Sequence, residues 1–367
     1  MKKNSSLSIP VLLLLAVLLI VCVSSCRKNP IVPPTPKDPR TYTWTIDTLD
    51  YPGSAQTIMQ SIWGSSPNDV YVVGHNDRAY GKMYHFNGKT WTPVVLYFPD
   101  RRGNFAIDLY AIYGFGSSDV WAVGERILDN PHPPPNILDS SLVIHFDGLQ
   151  WNEVMLPRKR LLERVWGSSP KDIWMGGING TLYHYDGSAI KPDSVPFPIP
   201  PDADPFYNFV SFTGSSSDGP YALLKTPDSR YYMFSHQSGT WAAIDSFLYY
   251  YKTMLWAGPG GTLYVTGSGV YKRIGSQWES LGLDGLLSVR ICGVDDNSLF
   301  VVGHSSDESG IYGTVYHYNG SDWFEFKQLR LYNGNYWGIW TDGKEVFVVG
   351  SNLYSDFPQK TIILHGK

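Results

Sequence analysis

Charge is scarce in this chain. Of its 367 residues only 17% are Asp, Glu, Lys or Arg, less than disordered chains or coiled coils carry. There is no basic excess: the net charge is −4, and a nucleic-acid binder needs a basic footprint. Three cysteines are too few for a disulfide framework. The spacings of a P-loop, a dinucleotide fingerprint, a nucleophile elbow, a zinc site and an EF-hand are all missing. Long apolar runs are missing too, with one exception. Ile9 to Val23 is apolar apart from Pro10, and its length of about 15 residues falls short of the roughly 20 that a bilayer core requires.

That run follows Lys2 and Lys3 and ends in Val23-Ser24-Ser25-Cys26, so it reads as a secretory leader rather than a membrane span. The four residues resemble the bacterial lipobox, where small side chains let a peptidase cut before a diacylated cysteine. The competing reading is an ordinary leader with a chance cysteine. The lipobox reading implies residues 1–25 as signal peptide and lipid on Cys26. Cys22 then leaves with the leader, and Cys292 remains as a buried, inert thiol. Loss of Lys2 and Lys3 moves the net charge to −6. Residues 26–42 carry Pro30, Pro33, Pro34, Pro36 and Pro39 and read as a semi-rigid stalk. The expected place is the cell envelope, lipid-anchored at the outer membrane and facing periplasm or surface.

Aromatics are plentiful, at 15%, beside 36 Gly and 26 Pro. This is the composition of short strands joined by tight turns. The body also repeats. Ile62-Trp63-Gly64-Ser65-Ser66-Pro67-Asn68-Asp69-Val70-Tyr71 returns at Val165 to Trp174 and, less closely, at Ile112 to Trp121. Weaker copies start near Phe212, Leu255, Ile291 and Ile339. A second block, Tyr84-His85-Phe86-Asn87-Gly88-Lys89-Thr90-Trp91, returns at Ile144 to Trp151 and at Tyr316 to Trp323. Each unit encodes four strands: a ends at Trp-Gly, b ends at Val-Gly, c carries the His, and d starts at the next Trp. Asn-Gly or Asp-Gly makes the c–d hairpin. Residues 43–367 then divide into seven units of about 46, the period of propeller blades. The expected fold is all-β: a seven-bladed β-propeller of four-stranded antiparallel blades over 43–367. The last unit stops one strand short, and Thr43-Trp44-Thr45-Ile46 is the strand d that would complete it and close the ring.

These motifs are similar to the kelch and galactose-oxidase-like propellers, and more closely to bacterial surface and secreted propellers built on W-G-S-S-x-x-D-V-[WY]-x-V-G. Most units here have one Gly where kelch has two. The resemblance implies architecture more than function. Within the repeat, most Trp fall in packing columns. His85, His145, His184, His317 and His365 share one column around a ring, which argues against a common metal. The recurring Asp, at 69, 119, 172 and 218, reads as turn capping. Trp337 lies outside every column.

The residues left over sit in the b–c and d–a connections, which open on one face of a propeller. Arg101, Arg102, Arg126, Tyr250, Tyr332, Tyr336 and Trp337 are the candidate ligand-binding residues, because Arg, Tyr and Trp supply hot spots. The expected activity is binding of a protein or carbohydrate by a monomer, with no cofactor and no nucleic acid. Calcium held by carbonyls in the central channel is left open. The rival readings are an extracytoplasmic glycan lyase or hydrolase, and a purely structural envelope component.

Overall fold

The computed structural model describes residues 37–97, 107–129, 137–156, 161–197, 207–215, 219–248 and 252–367. The unit Asp38–Lys367 is seven antiparallel sheets, each with the strands of one repeat in the order a-b-c-d. The seven strands a are Thr57–Ser66, Ile107–Gly116, Leu162–Ser169, Asn208–Thr213, Lys252–Ala257, Leu287–Asp295 and Asn335–Thr341. Each packs beside the strands a of both neighbours, the seventh beside the first, so the ring closes around an axis. The expectation of seven blades holds, including the degraded fourth and fifth copies.

Seven apolar clusters fill the seven gaps between blades. Strand b is the most buried layer: Val70, Val72 and Val73 have no exposed surface, and neither do Val346, Val348 and Val349. A strand flanked by two blades is apolar on both sides, which is why the b segments read as continuous apolar runs rather than alternating ones.

Ring closure takes the expected form. Strand Trp44–Leu49 pairs with Thr361–Gly366 from Trp44 opposite Gly366 to Leu49 opposite Thr361. Thr43 and Lys367 exchange N–H···O bonds of 2.9 and 3.1 Å beyond it. The Trp44 ring lies on Gly366 and meets Phe326 edge-on at 5.1 Å. Upstream, Arg40 donates to the Asp322 carbonyl at 2.7 Å and pairs with its carboxylate at 3.2 Å.

Every strand a carries a β-bulge, which the repeat pattern does not announce. The register slips between Met59 and Ser61, Leu109 and Ala111, Leu162 and Arg164, Phe209 and Ser211, Lys252 and Met254, Leu287 and Arg290, and Tyr336 and Gly338. The extra residue bends the strand and re-aims side chains. It also explains the Gly that ends strand b. A Cβ at Gly74 would stand 2.0 Å from the Ile58 carbonyl oxygen, and one at Gly124 1.9 Å from that of Asp108. Only glycine admits so close a backbone approach.

Removing Thr43–Ile46 exposes an unpaired edge and the apolar side of the last blade. The expected result is a loss of several kcal/mol in urea unfolding, with a lower Tm. An unchanged Tm would contradict the closure.

Candidate functional site

The histidine column and the Asp column are one feature. In three blades the Asp that opens strand b bonds to the His of strand c: His85 to Asp69 at 2.7 Å, His145 to Asp119 at 2.8 Å and His184 to Asp172 at 2.7 Å. Each imidazole lies flat on the strand b aromatic, at centroid distances of 4.3 Å on Tyr71, 4.1 Å on Trp121 and 4.0 Å on Trp174. Trp121 and Trp174 donate their indole N–H to the same carboxylates. Ser65 and Ser168 add hydroxyl donors to Asp69 and Asp172. Blade seven substitutes Glu345 for Asp, 2.5 Å from His365, whose ring stacks on Phe347 at 3.9 Å. Blade six has no acid there. Burial, with help from the Arg40 charge, pushes His317 down to about 4.

These clusters do more than the turn capping read from the sequence: the Asp joins the a–b turn to strand c. They sit at the end of the ring that carries the short a–b and c–d turns, in blades one, two, three and seven. They are scaffold rather than a shared site. Hydrogen bonds from His184, then Ser168 and Trp174, hold the Asp172 carboxyl below its usual value.

The other end of the ring carries the d–a and b–c connections. Ten of the sixteen exposed large apolar side chains of the described residues are at this end: Tyr80, Val95, Tyr97, Met155, Leu248, Leu287, Ile311, Tyr332, Tyr354 and Phe357, against Leu149, Ile274 and Val294 near the short turns and Ile46, Ile244 and Phe324 on outer strands. Arg101, Arg102 and Tyr250, three of the candidate residues, lie outside the described residues, as do Asp218 and Cys26.

The other four candidates part company. Tyr332 is exposed as expected. It is in a two-residue strand, Leu331–Tyr332, added to blade six, and lies near Tyr312, over which the Arg330 guanidinium sits at 4.2 Å. Trp337 is the bulge residue of blade seven. It lines the channel, with its indole N–H on the Ser351 hydroxyl at 3.0 Å. Tyr336 corrects the expectation. It is 1% exposed, packs in the cluster between blades six and seven, and donates its hydroxyl to the Leu329 carbonyl at 2.7 Å. The strand begins at Asn335, earlier than the repeat suggests, and turns Tyr336 inward. Arg126 is also corrected. Strand b of blade two runs on to Asp129, so Arg126 sits in the sheet, buried, with both Glu153 carboxylate oxygens 2.6 Å from its Nη1.

A central cavity of about 360 Å3 is lined by all seven strands a. At the position just after the bulge the blades present Ser61, Ala111, Arg164, Ser211, Met254, Arg290 and Gly338. The two arginines occupy equivalent places on blades three and six, across the ring from each other. Arg164 donates Nε to the Val210 carbonyl and Nη1 to the Glu163 carbonyl, both at 2.7 Å. Burial, reinforced by the Arg164 charge, pushes Arg290 down to about 9. Both arginines lie deep among protein atoms yet keep surface open to the cavity. The sequence did carry the signal. In Arg164-Val165-Trp166 and Arg290-Ile291-Cys292 an arginine stands where Ser61 precedes Ile62-Trp63.

One further polar group joins the end of strand b of blade one to the start of strand a of blade two. His75 Nδ1 is 2.8 Å from Asp108, and Lys82 is 3.6 Å from the same carboxylate. Beside it the Tyr110 hydroxyl donates to Glu125 at 2.7 Å. Burial lowers the Lys82 ammonium pKa, against the opposing pull of Asp108.

No protein-family model matches this sequence, and no curated protein matches it. Solved structures do. YCF48 bound to a D1 peptide superposes with a TM-score of 0.60 at 14% identity, over 90% of this chain and 97% of that one. YCF48 from Cyanidioschyzon merolae gives 0.59 at 13%, over 87% and 98%. The extracellular domain assigned to a hybrid two-component system of B. thetaiotaomicron gives 0.53 at 11%, over 88% and 42%. At such identities the likeness is one of fold, and it supports the seven-bladed propeller.

Asp172→Asn removes the charge of the carboxylate that accepts from His184, Ser168 and Trp174, and turns one of its two acceptor oxygens into a donor. The expected cost is about 1–2 kcal/mol at neutral pH. The folded-state carboxyl titrates below its usual 3.8. The stability it contributes is therefore present above that value and lost as pH falls through the lower, folded-state one. Denaturant midpoints of wild type and variant should converge in acid. A gap that stayed constant with pH would refute the role.

Proposed function

We propose that this protein is a lipid-anchored, extracytoplasmic binding propeller that docks a protein segment across the face bearing its d–a and b–c connections. The observation that carries this reading is the gathering of exposed aromatic and apolar side chains on that face, beside a channel mouth edged by Gln60, Tyr110 and Trp337. Large exposed apolar surface is uncommon on a monomer without a partner, and the opposite end of the ring is occupied by scaffold clusters. One propeller of similar fold, YCF48, is solved with a D1 peptide bound, so the architecture accommodates such a ligand. The anchor rests on the lipobox-like Val23-Ser24-Ser25-Cys26 and the proline-rich stalk behind it. The kinship we propose is with kelch-like bacterial propellers carrying the W-G-S-S repeat.

A glycan-active enzyme is the second reading, and the His75–Asp108–Lys82 group favours it. It predicts that reducing ends appear when the protein meets a polysaccharide, and that His75→Ala abolishes them.

Two outcomes test the main reading. Once a partner is isolated by crosslinking on cells, Trp337→Ala and Tyr332→Ala should each weaken it by about thirtyfold, the effect of a hot spot of roughly 2 kcal/mol. Lys89→Ala, in a short c–d turn, should leave it unchanged; the reverse pattern would place the site on the other face. Cys26→Ala should abolish incorporation of labelled fatty acid and release the protein from the membrane fraction. Retained label would overturn the anchor.

A further inference from the structure

The central cavity has a chemical character that peptide docking on the outer face does not require. Two guanidinium groups share one layer of it, from Arg164 and Arg290. None of the residues lining it is Asp or Glu. The Arg164 hydrogen bonds go to carbonyls, which orient the group; the acid that acts on it, Glu163, does not line the cavity. Its Nη2 has no hydrogen-bond partner among the described residues. Two like charges in a space walled by protein repel strongly, because the low-dielectric walls screen them little. Ser61 and Thr213 also line the space. Their hydroxyls accept from the backbone N–H groups of Ile112 and Ala257, at 3.2 and 2.7 Å, so each still has a proton to donate.

We propose that the central channel binds a small dianion, inorganic phosphate or a short dicarboxylate, held between Arg164 and Arg290 with the Ser61 and Thr213 hydroxyls as further donors. The oxyanion supplies the charge that the lining lacks. Guanidinium groups suit it, because their planar fork of donors matches carboxylate and phosphate oxygens. The cavity, at about 360 Å3, is within the range of small-ligand sites and leaves room for water around so small a guest. The same layer disfavours a calcium ion, which would face two positive groups. This site is independent of the docking face: either can fail without the other.

The test uses the full-length protein in detergent, titrated calorimetrically with sodium phosphate and separately with sodium succinate. Ionic strength is held constant with sodium chloride, and thermal unfolding is followed in parallel. The expected result is saturable binding of one anion per chain, with a Tm raised by a few degrees over the chloride control. Phosphate alone or succinate alone binding would identify which anion the site takes. Arg290→Met should weaken binding roughly tenfold or more. The anion-free variant should still unfold in a single cooperative transition, which separates lost binding from lost folding. Arg164→Met should weaken binding likewise, and Arg164 also anchors two carbonyls. The proposal is overturned if neither anion gives saturable heat or a Tm shift beyond chloride. It is equally overturned if Arg290→Met binds as wild type does.

Discussion

The structure depends on one piece of main-chain pairing, that of Trp44–Leu49 with Thr361–Gly366. Each gap between blades holds an apolar cluster, and a ring of sheets is stable only if every gap has two walls. The strand from the start of the chain supplies the outer strand of the last blade and brings Leu49 into the cluster between blades seven and one. Across that seam Thr361 donates to the Thr57 carbonyl at 2.7 Å and accepts from the Met59 N–H at 2.9 Å. The bonds join segments about 300 residues apart, so closure couples the two ends of the fold into a single cooperative unit. Without it there is no closed ring of strands a, and so no channel.

With the ring closed, its two ends take different work. At the short-turn end an acid, a His and a strand b aromatic interlock in blades one, two, three and seven, satisfying polar groups that would otherwise be costly to cover. At the opposite end the connections differ in length and residue type from blade to blade, because no ladder or stacking column constrains them. The bulge in every strand a lies towards this end, and the extra residue is where the blades become individual: Gln60, Tyr110, Glu163, Val210, Thr253 and Trp337 occupy it in turn.

The arginine layer stands out against that economy. Five of its seven positions are small or neutral, and two are arginine. Neither arginine is needed to fill space, since Ser61, Ala111 and Gly338 do without bulk at the same place. Hydrogen bonds to the Val210 and Glu163 carbonyls hold Arg164 across two blades, which fixes its direction before any guest arrives. Preorganised charge of this kind is the usual starting point for anion recognition.

Residue pattern alone determined the architecture. Turn signals, the Trp-Gly and Val-Gly punctuation and the missing last strand specify seven four-stranded blades and their closure, because these features are local and recur seven times. It also set Trp337 outside the packing columns. Tertiary structure decided the rest. Tyr336 and Arg126 read as loop residues because strand ends carry no punctuation of their own; only the pairing of Asn335 with Ser351 and of Arg126 with Ser140 shows that they belong to sheets. The Asp–His pairing was hidden for a different reason. Asp69 and His85 lie sixteen residues apart on different strands, and a column of one residue type reveals its periodicity but not its partner. The opposition of Arg164 and Arg290 arises only when the chain bends into a ring, since curvature, and not sequence distance, sets which blades face each other.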